Sequence, residues 1–329
     1  MQKKYDVYAI GNALVDTEIE TTDAFLSDMQ IGKGLMTLVD EARQHQLTQA
    51  LATTPAKRSA GGSACNTAVA VARFGGTAFY SCRVADDEDG HFYAKDLADA
   101  GVDNSLDKQL PQGTTGKCLV LVTPDAERSM NTYLGISANI DETDLNEQAL
   151  LTSNYVYLEG YLASSETGRA AAAKLRELAE QHGVKTSITF SDPAMIEFCR
   201  DGLNQMLGNG VDLLFCNQAE ALAYTQQSDP EAALESLKSI AKQIVLTRHD
   251  KGAWIWDGSQ RHDIAATPIT AIDSNGAGDM FAGAYLYGIN HGMSPAQAGQ
   301  LAAKAAANVV GQFGPRLSQQ EHHDLLANP

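Results

Sequence analysis

Apolar residues along this chain fall into two kinds of run that alternate. Short, nearly continuous apolar stretches at residues 5–10, 77–83, 155–159, 185–190, 213–216 and 243–247 predict strands, several of them covered on both faces. Between them, residues 64–74, 88–100, 166–182 and 231–241 predict helices, and Ala-rich helices are expected over 279–291 and 295–311. Residues 253–256 predict one more strand. Such alternation is the signature of an α/β fold with a parallel sheet between helices. Ligands bind such sheets beyond the carboxyl ends of the strands, so the residues just after each strand are the first candidates for chemistry.

Two stretches break the alternation. Residues 13–58 hold Thr17-Glu18-Ile19-Glu20 in strict alternation and then a polar, helix-capable segment. In residues 102–133, the runs 117–123 and 128–133 flank Pro124-Asp125-Ala126-Glu127 and predict a hairpin. These pieces are expected to pair into a small sheet over the main one, within a single domain of residues 1–329. There is no internal repeat, low-complexity tract or Pro-rich linker.

Charge narrows the partners. Lys and Arg total 24 against 41 Asp and Glu, a net charge of −17, which weighs against nucleic acid and anionic membranes. An anionic ligand must then be held locally, by backbone amides and a few placed cations. The five cysteines form no C-x-x-C pair, which argues against a disulfide framework and a thiolate zinc site. The polar start leads straight into a strand and no apolar run is long enough to span a bilayer, so a cytoplasmic protein is expected.

The richest stretch is Asp273-Ser274-Asn275-Gly276-Ala277-Gly278-Asp279. Two glycines one residue apart let the main chain turn tightly and aim successive N–H groups at one point, and the following helix adds the positive end of its dipole. That combination suits phosphate oxygens. Asp279, in the first helical turn, could accept a proton from an attacking hydroxyl, although a helix cap explains the same letters. After the first strand come Asn12 and Asp16, suited to paired hydroxyls or to an ordinary turn. Gly61, Gly62, Ser63 and Asn66 open a helix on which backbone can approach a ligand. Asn217 and Glu220, three apart at another helix start, fit either a ligand or a capping box. Thr247-Arg248-His249-Asp250-Lys251-Gly252 forms a polar turn able to touch polyphosphate. Neither G-x-x-x-x-G-K-[ST] nor a strand-initial G-x-G-x-x-G occurs, which argues against P-loop and dinucleotide sites.

Taken in order, these motifs resemble the ribokinase-like (PfkB-type) carbohydrate and nucleoside kinase family over nearly the whole chain. The carriers are Gly61-Gly62-x-x-x-Asn66, Asp273-x-x-Gly276-Ala277-Gly278-Asp279 and Asn217-x-x-Glu220. Within that family, the segments at 11–16, 60–63 and 127–129 are similar to those of adenosine kinases. The resemblance implies a three-layer α/β/α sandwich with a small β-sheet lid. It also implies ATP and Mg²⁺ as cofactors, with Asp279 as general base and the N–H groups of Asn275, Gly276, Ala277 and Gly278 holding the transferred phosphoryl group. Asn12 and Asp16 would grip sugar hydroxyls, with Gly61, Gly62, Ser63 and Asn66 closing the other side. Asn217 and Glu220 would position Mg²⁺ through its waters, and Arg128, on a lid strand, would fold over the phosphates or else stand as an exposed strand arginine. Thr247 and Gly252 would contact ATP, and Asn308 would lie near the adenine. Some relatives bind a monovalent cation near the position of Asp273. His249 replaces a glycine usual in the family and is expected to be a surface turn residue.

The resulting expectation is a kinase for the 5′-hydroxyl of adenosine or a related nucleoside. The alternatives are a ribose or fructose kinase and a catalytically silent nucleotide- or nucleoside-binding regulator. Leu35, Met36 and Leu134 would cover a base, and the protein would be a monomer or homodimer.

Overall fold

The computed structural model describes residues 3–106, 110–125 and 127–327. Nine strands form the large sheet, in the spatial order Arg261–Ile264, Ala253–Trp256, Ala241–Thr247, Val211–Asn217, Lys185–Thr189, Ser153–Leu158, Tyr5–Ile10, Ala78–Ser81 and Val102–Asn104. The seven from Ala241–Thr247 to Val102–Asn104 are parallel, and the other two continue antiparallel as a meander.

Alternate residues of the central strands enter separate cores, which is why their apolar runs are continuous. Val7, Ala9, Tyr155, Tyr157, Leu213 and Phe215 pack with the helices Ser63–Arg73, Ala277–Asn290 and Pro295–Val310. Tyr8, Ile10, Val156, Leu158, Leu214 and Cys216 pack on the opposite side with Glu166–Gln181, Pro193–Leu207 and Pro230–Leu237. The layers are therefore helix, sheet, helix. Cys65, Cys82, Cys118 and Cys216 are buried and unpaired, and Cys199 is half-buried and unpaired. No helix among the described residues is long and apolar enough to cross a membrane.

A second sheet has five strands in the order Met36–Leu38, Arg128–Tyr133, Gly116–Val122, Leu14–Glu20 and Lys57–Gly61. Ile19, Leu119 and Leu121 on one face pack against Leu26, Leu47 and Leu51, from the helices Asp23–Asp28 and Glu41–Ala50 and the residue after the second. Register puts Asp16 opposite Cys118, Glu18 opposite Val120 and Val122 opposite Arg128, so these residues share the other face. The predicted hairpin runs are paired antiparallel. Ala126, in its turn, lies outside the described residues.

Three expectations change. Val102–Asn104, expected to feed the small sheet, pairs with Ala78–Ser81 at the edge of the large one. The helix expected over 231–241 ends at Leu237, because Ala241 already begins the next strand. The helix Pro193–Leu207 was not anticipated; it leaves helical geometry at Cys199, which interrupts the apolar spacing that would have announced it.

Candidate active site

The Ser63–Arg73 helix begins where the small sheet meets the large one. Its N-cap, Gly62, sits at φ +98°, and a Cβ there would collide with the carbonyl of Asn12. Gly61 is equally constrained, by the carboxylate of Asp16. Gly62 offers no capping side chain, and the role passes to Glu159. Glu159 Oε2 accepts from the Ala64 N–H at 2.8 Å, while Oε1 accepts from the backbone N–H and Nδ2 of Asn12, each at 3.1 Å. Ser137 Oγ donates to Asn12 Oδ1 at 2.9 Å. The Asn12 amide is thus held from both ends, with one N–H and one lone pair to spare. Burial pushes the Glu159 carboxyl up to about 7, against the pull of its N–H donors. The sequence placed Glu159 only as the last residue of a strand; an acid ending an apolar run was its one signal.

The Ala277–Asn290 helix supplies the second wall. Gly276 caps it in the left-handed region, φ +74°, and a Cβ would strike Pro315. Asp273 Oδ1 accepts from the Asn275 N–H at 2.8 Å, and the Ala277 N–H turns back to the Ser274 carbonyl at 3.3 Å. The anion cradle is therefore narrower than the sequence implied. Within residues 275–279, the N–H groups that find no acceptor among the described residues are those of Gly276, Gly278 and Asp279, and the space beside Gly278 is open.

Asp279 joins the two walls. Its Oδ1 accepts from Ser63 Oγ at 2.7 Å and its Oδ2 from Asn66 Nδ2 at 3.0 Å. Burial raises this carboxyl to about 6, while Ser63, Asn66 and the charge of Arg316 hold it down. Asp16, buried on the small sheet without a hydrogen-bond donor among the described residues, is pushed up to about 7. Burial is the main cause there; Arg316 opposes it, and Glu18 and Asp279 reinforce it. Arg316 was not foreseen. Its Nε donates to Asn66 Oδ1 at 2.8 Å, Nη1 to Asp96 Oδ2 at 2.6 Å and Nη2 to Cys65 Sγ at 3.1 Å.

Arg128 is not an exposed strand arginine. It is buried between Glu18, at 3.4 Å, and Asp273, and ties the small sheet to the segment before the cradle. Its Nε has no acceptor among the described residues. Asp273 Oδ2 also accepts from the Gly314 N–H at 2.7 Å. Asp273 thus has donors on both oxygens and its charge is matched by Arg128.

The remaining candidates sit along the same carboxyl edge of the large sheet. Asn217 and Thr247 end neighbouring strands and are directly paired in register. Asn217 and Glu220 make the capping box: Asn217 N–H and Nδ2 donate to Glu220 at 2.9 and 2.7 Å, and Glu220 N–H donates to Asn217 Oδ1 at 2.8 Å. Burial lifts Glu220 to about 7 as well. The phenol of Tyr161 is pushed well up by burial, with the carboxylates of Asp192, Asp279, Glu159 and Glu220 adding to it. Asn217 and Glu220 thus stand at this acidic edge engaged with each other, and no group of three or more His, Cys, Asp or Glu side chains among the described residues is placed to hold a metal ion directly, so a Mg²⁺ here would be held through water. His249 is exposed at φ +51°, the backbone region that the usual glycine would adopt freely, so the replacement keeps the turn at a small conformational cost. Gly252, at φ +80°, closes that turn, its carbonyl accepting from the Arg248 N–H at 2.7 Å. Asn308 is exposed on the Pro295–Val310 helix and donates to the Lys304 carbonyl at 2.8 Å.

Comparison with known proteins places this geometry. The family described as pfkB family carbohydrate kinase matches residues 30–322. A probable sugar kinase from Rhizobium etli has a structure that superposes with a TM-score of 0.92, at 35% identity and over 99% of both chains. Adenosine kinase from Sinorhizobium meliloti superposes with a TM-score of 0.91, at 34% identity over 98% of this chain and 99% of that one. Adenosine kinase of Saccharomyces cerevisiae is 26% identical over 328 residues, covering 93% of this chain and 95% of the yeast protein. An α/β/α sandwich with a second small sheet, a helix start with free backbone N–H groups and a carboxylate beside it are thus found in a chain that belongs to the pfkB family of carbohydrate kinases, an ATP-dependent phosphotransferase of sugars or nucleosides.

Proposed function

We propose that this kinase phosphorylates the 5′-hydroxyl of adenosine or a related nucleoside. The observation that carries the reading is one face of the small sheet. Register aligns Asp16, Cys118, Thr132 and Leu38 across four strands, with Met36 and Met130 in the next row. Leu38 and the adjoining Leu35 are 49% and 60% exposed. A carboxylate for vicinal hydroxyls thus lies on the same face as apolar side chains whose burial a purine would reward and a free sugar would not.

In this reading Asp16, with the spare hydrogen-bonding capacity of Asn12, anchors the ribose hydroxyls and directs the 5′-hydroxyl at Asp279. The small sheet, built from strands within residues 14–61 and 116–133, acts as the lid. As the 5′-oxygen bonds to the γ-phosphorus, its proton passes to Asp279 and the bond to the ADP oxygen breaks. The N–H groups of Gly276 and Gly278 face the charge on the moving phosphoryl group. Thr247, Gly252, Asn275 and Asn308 contact ATP. Asn217 and Glu220 would hold Mg²⁺ through water, and the ion would supply charge neutralisation on the ATP phosphates. Arg128 leaves Asp273 to reach the phosphates as the lid closes.

The test is ATP-dependent product formation across adenosine, other nucleosides, ribose and fructose. Adenosine is expected to give the highest kcat/KM. A preference for ribose or fructose over every nucleoside would overturn the nucleoside assignment, and no ATP consumption with any acceptor would favour a silent regulator.

A further inference from the structure

We propose that Arg316 is a positioning residue for phosphoryl transfer: it fixes, through Asn66, which atom of the Asn66 amide faces Asp279. The inference rests on the reading of Asp279 as the base. A side-chain amide has nearly the same shape in either of its two flipped states, so the hydrogen-bond partners decide between them. Here Arg316 Nε donates to Asn66 Oδ1 at 2.8 Å, and Nδ2 is thereby turned to Asp279 Oδ2, 3.0 Å away. The flipped state would set the NH₂ group against the guanidinium and the carbonyl oxygen against the carboxylate, two repulsive contacts in place of two attractive ones.

Arg316 can impose this choice because it is itself immobilised. Its side chain is 9% exposed, and Nη1 is held by Asp96 at 2.6 Å and Nη2 lies 3.1 Å from Cys65 Sγ. Asp96 stands on the Glu88–Asp99 helix and Asn66 on the Ser63–Arg73 helix. The backbone around Arg316 is tied to the same site. Gly314 donates to Asp273 at 2.7 Å, and Pro315 occupies the space that a Cβ on Gly276 would need. One tripeptide thus touches the segment before the cradle, the cradle glycine and the amide beside the base. Asp16, Glu159, Tyr157 and Tyr161 also interact electrostatically with Asp279, but none of them contacts Asn66 through a hydrogen bond. Arg316 also adds a positive charge that favours the ionised form of both Asp279 and Asp16.

A double-mutant cycle on the full chain tests this, with Arg316→Met, Asn66→Ala and the pair. Turnover is measured on the alkaline plateau, where ionisation no longer limits, and folding is checked by thermal melting. Arg316→Met is expected to lower plateau kcat at least ~10-fold, but less than ~2-fold once Asn66 is Ala. The acid limb of its kcat/KM profile should also move to higher pH, since losing the cation and the oriented donor both disfavour the carboxylate. If Arg316→Met does not fold, Arg316→Lys carries the cycle: it keeps the charge but not the fork, and should lose turnover with a smaller shift of the limb than loss of both would give. Additive losses, or wild-type kcat in a folded Arg316 variant, would overturn the positioning role. Failure of the underlying reading is recognised separately, by an Asp279→Asn variant that turns over normally.

Discussion

Asp16, Glu159, Glu220 and Asp279 are all held above the ordinary carboxylate range by burial, the first three to about 7 and Asp279 to about 6. A carboxyl raised on folding contributes stability that is fully present below its unfolded pKa, near 4, and lost as pH rises through its folded value. The window for these residues therefore runs from about pH 4 to about pH 7. Asp16 is the clearest case, because it has no hydrogen-bond donor among the described residues to offset its charge. Asp16→Asn should be more stable than the parent at pH 8, on the order of 2 kcal/mol, with the difference shrinking toward pH 4. The same variant should lose ~100-fold or more in kcat/KM for adenosine, the pattern of a site that gives up stability for function. Urea melts at the two pH values, paired with steady-state kinetics, check both halves; a variant less stable than the parent at pH 8 would contradict the account of Asp16.

At the scale of elements, the small sheet reaches the body of the molecule through charged residues on its inner face. Arg128 meets Asp273, and Lys57 Nζ donates to the Phe313 carbonyl at 3.3 Å. If this sheet closes over the acceptor, hydrogen exchange in residues 14–61 and 116–133 should slow on saturation with adenosine. Arg128→Met should speed exchange there in the free protein, because it leaves Glu18 and Asp273 buried without their partner. Equal exchange with and without the acceptor would count against closure. Most elements were legible because composition and length specify them: the parallel strands carry unbroken apolar runs, and the hairpin is marked by two strand-like runs on either side of Pro124-Asp125-Ala126-Glu127. The helix Pro193–Leu207 was missed although Asp192 and Pro193 form a good start signal, since the break at Cys199 splits it into two short pieces. Val102–Asn104 is three residues long, too short for any periodicity to assign it to a sheet.

Across the whole molecule, a chain of net charge −17 has free backbone N–H groups at one helix start and two buried arginines, Arg128 and Arg316, close to it. The loops that matter were readable because tight turns and helix starts have strong residue preferences: Gly61-Gly62 and Gly276-Ala277-Gly278 can be picked out without a structure. Glu159 and Arg316 could not be read in the same way. Arg316 lies 250 residues from Asn66, and no local pattern tells that the C-terminal segment folds back across the Ser63–Arg73 helix. Nor does sequence say which cradle N–H groups are already spent, as Asn275 and Ala277 are. All these parts converge on one carboxylate, so the most direct test of the account is the turnover of Asp279→Asn alongside its calorimetric affinity for ATP. The account predicts a kcat lower by ~10³-fold with nucleotide affinity kept within a few fold, because positioning survives while the base is lost. Near-normal kcat in that variant would contradict it.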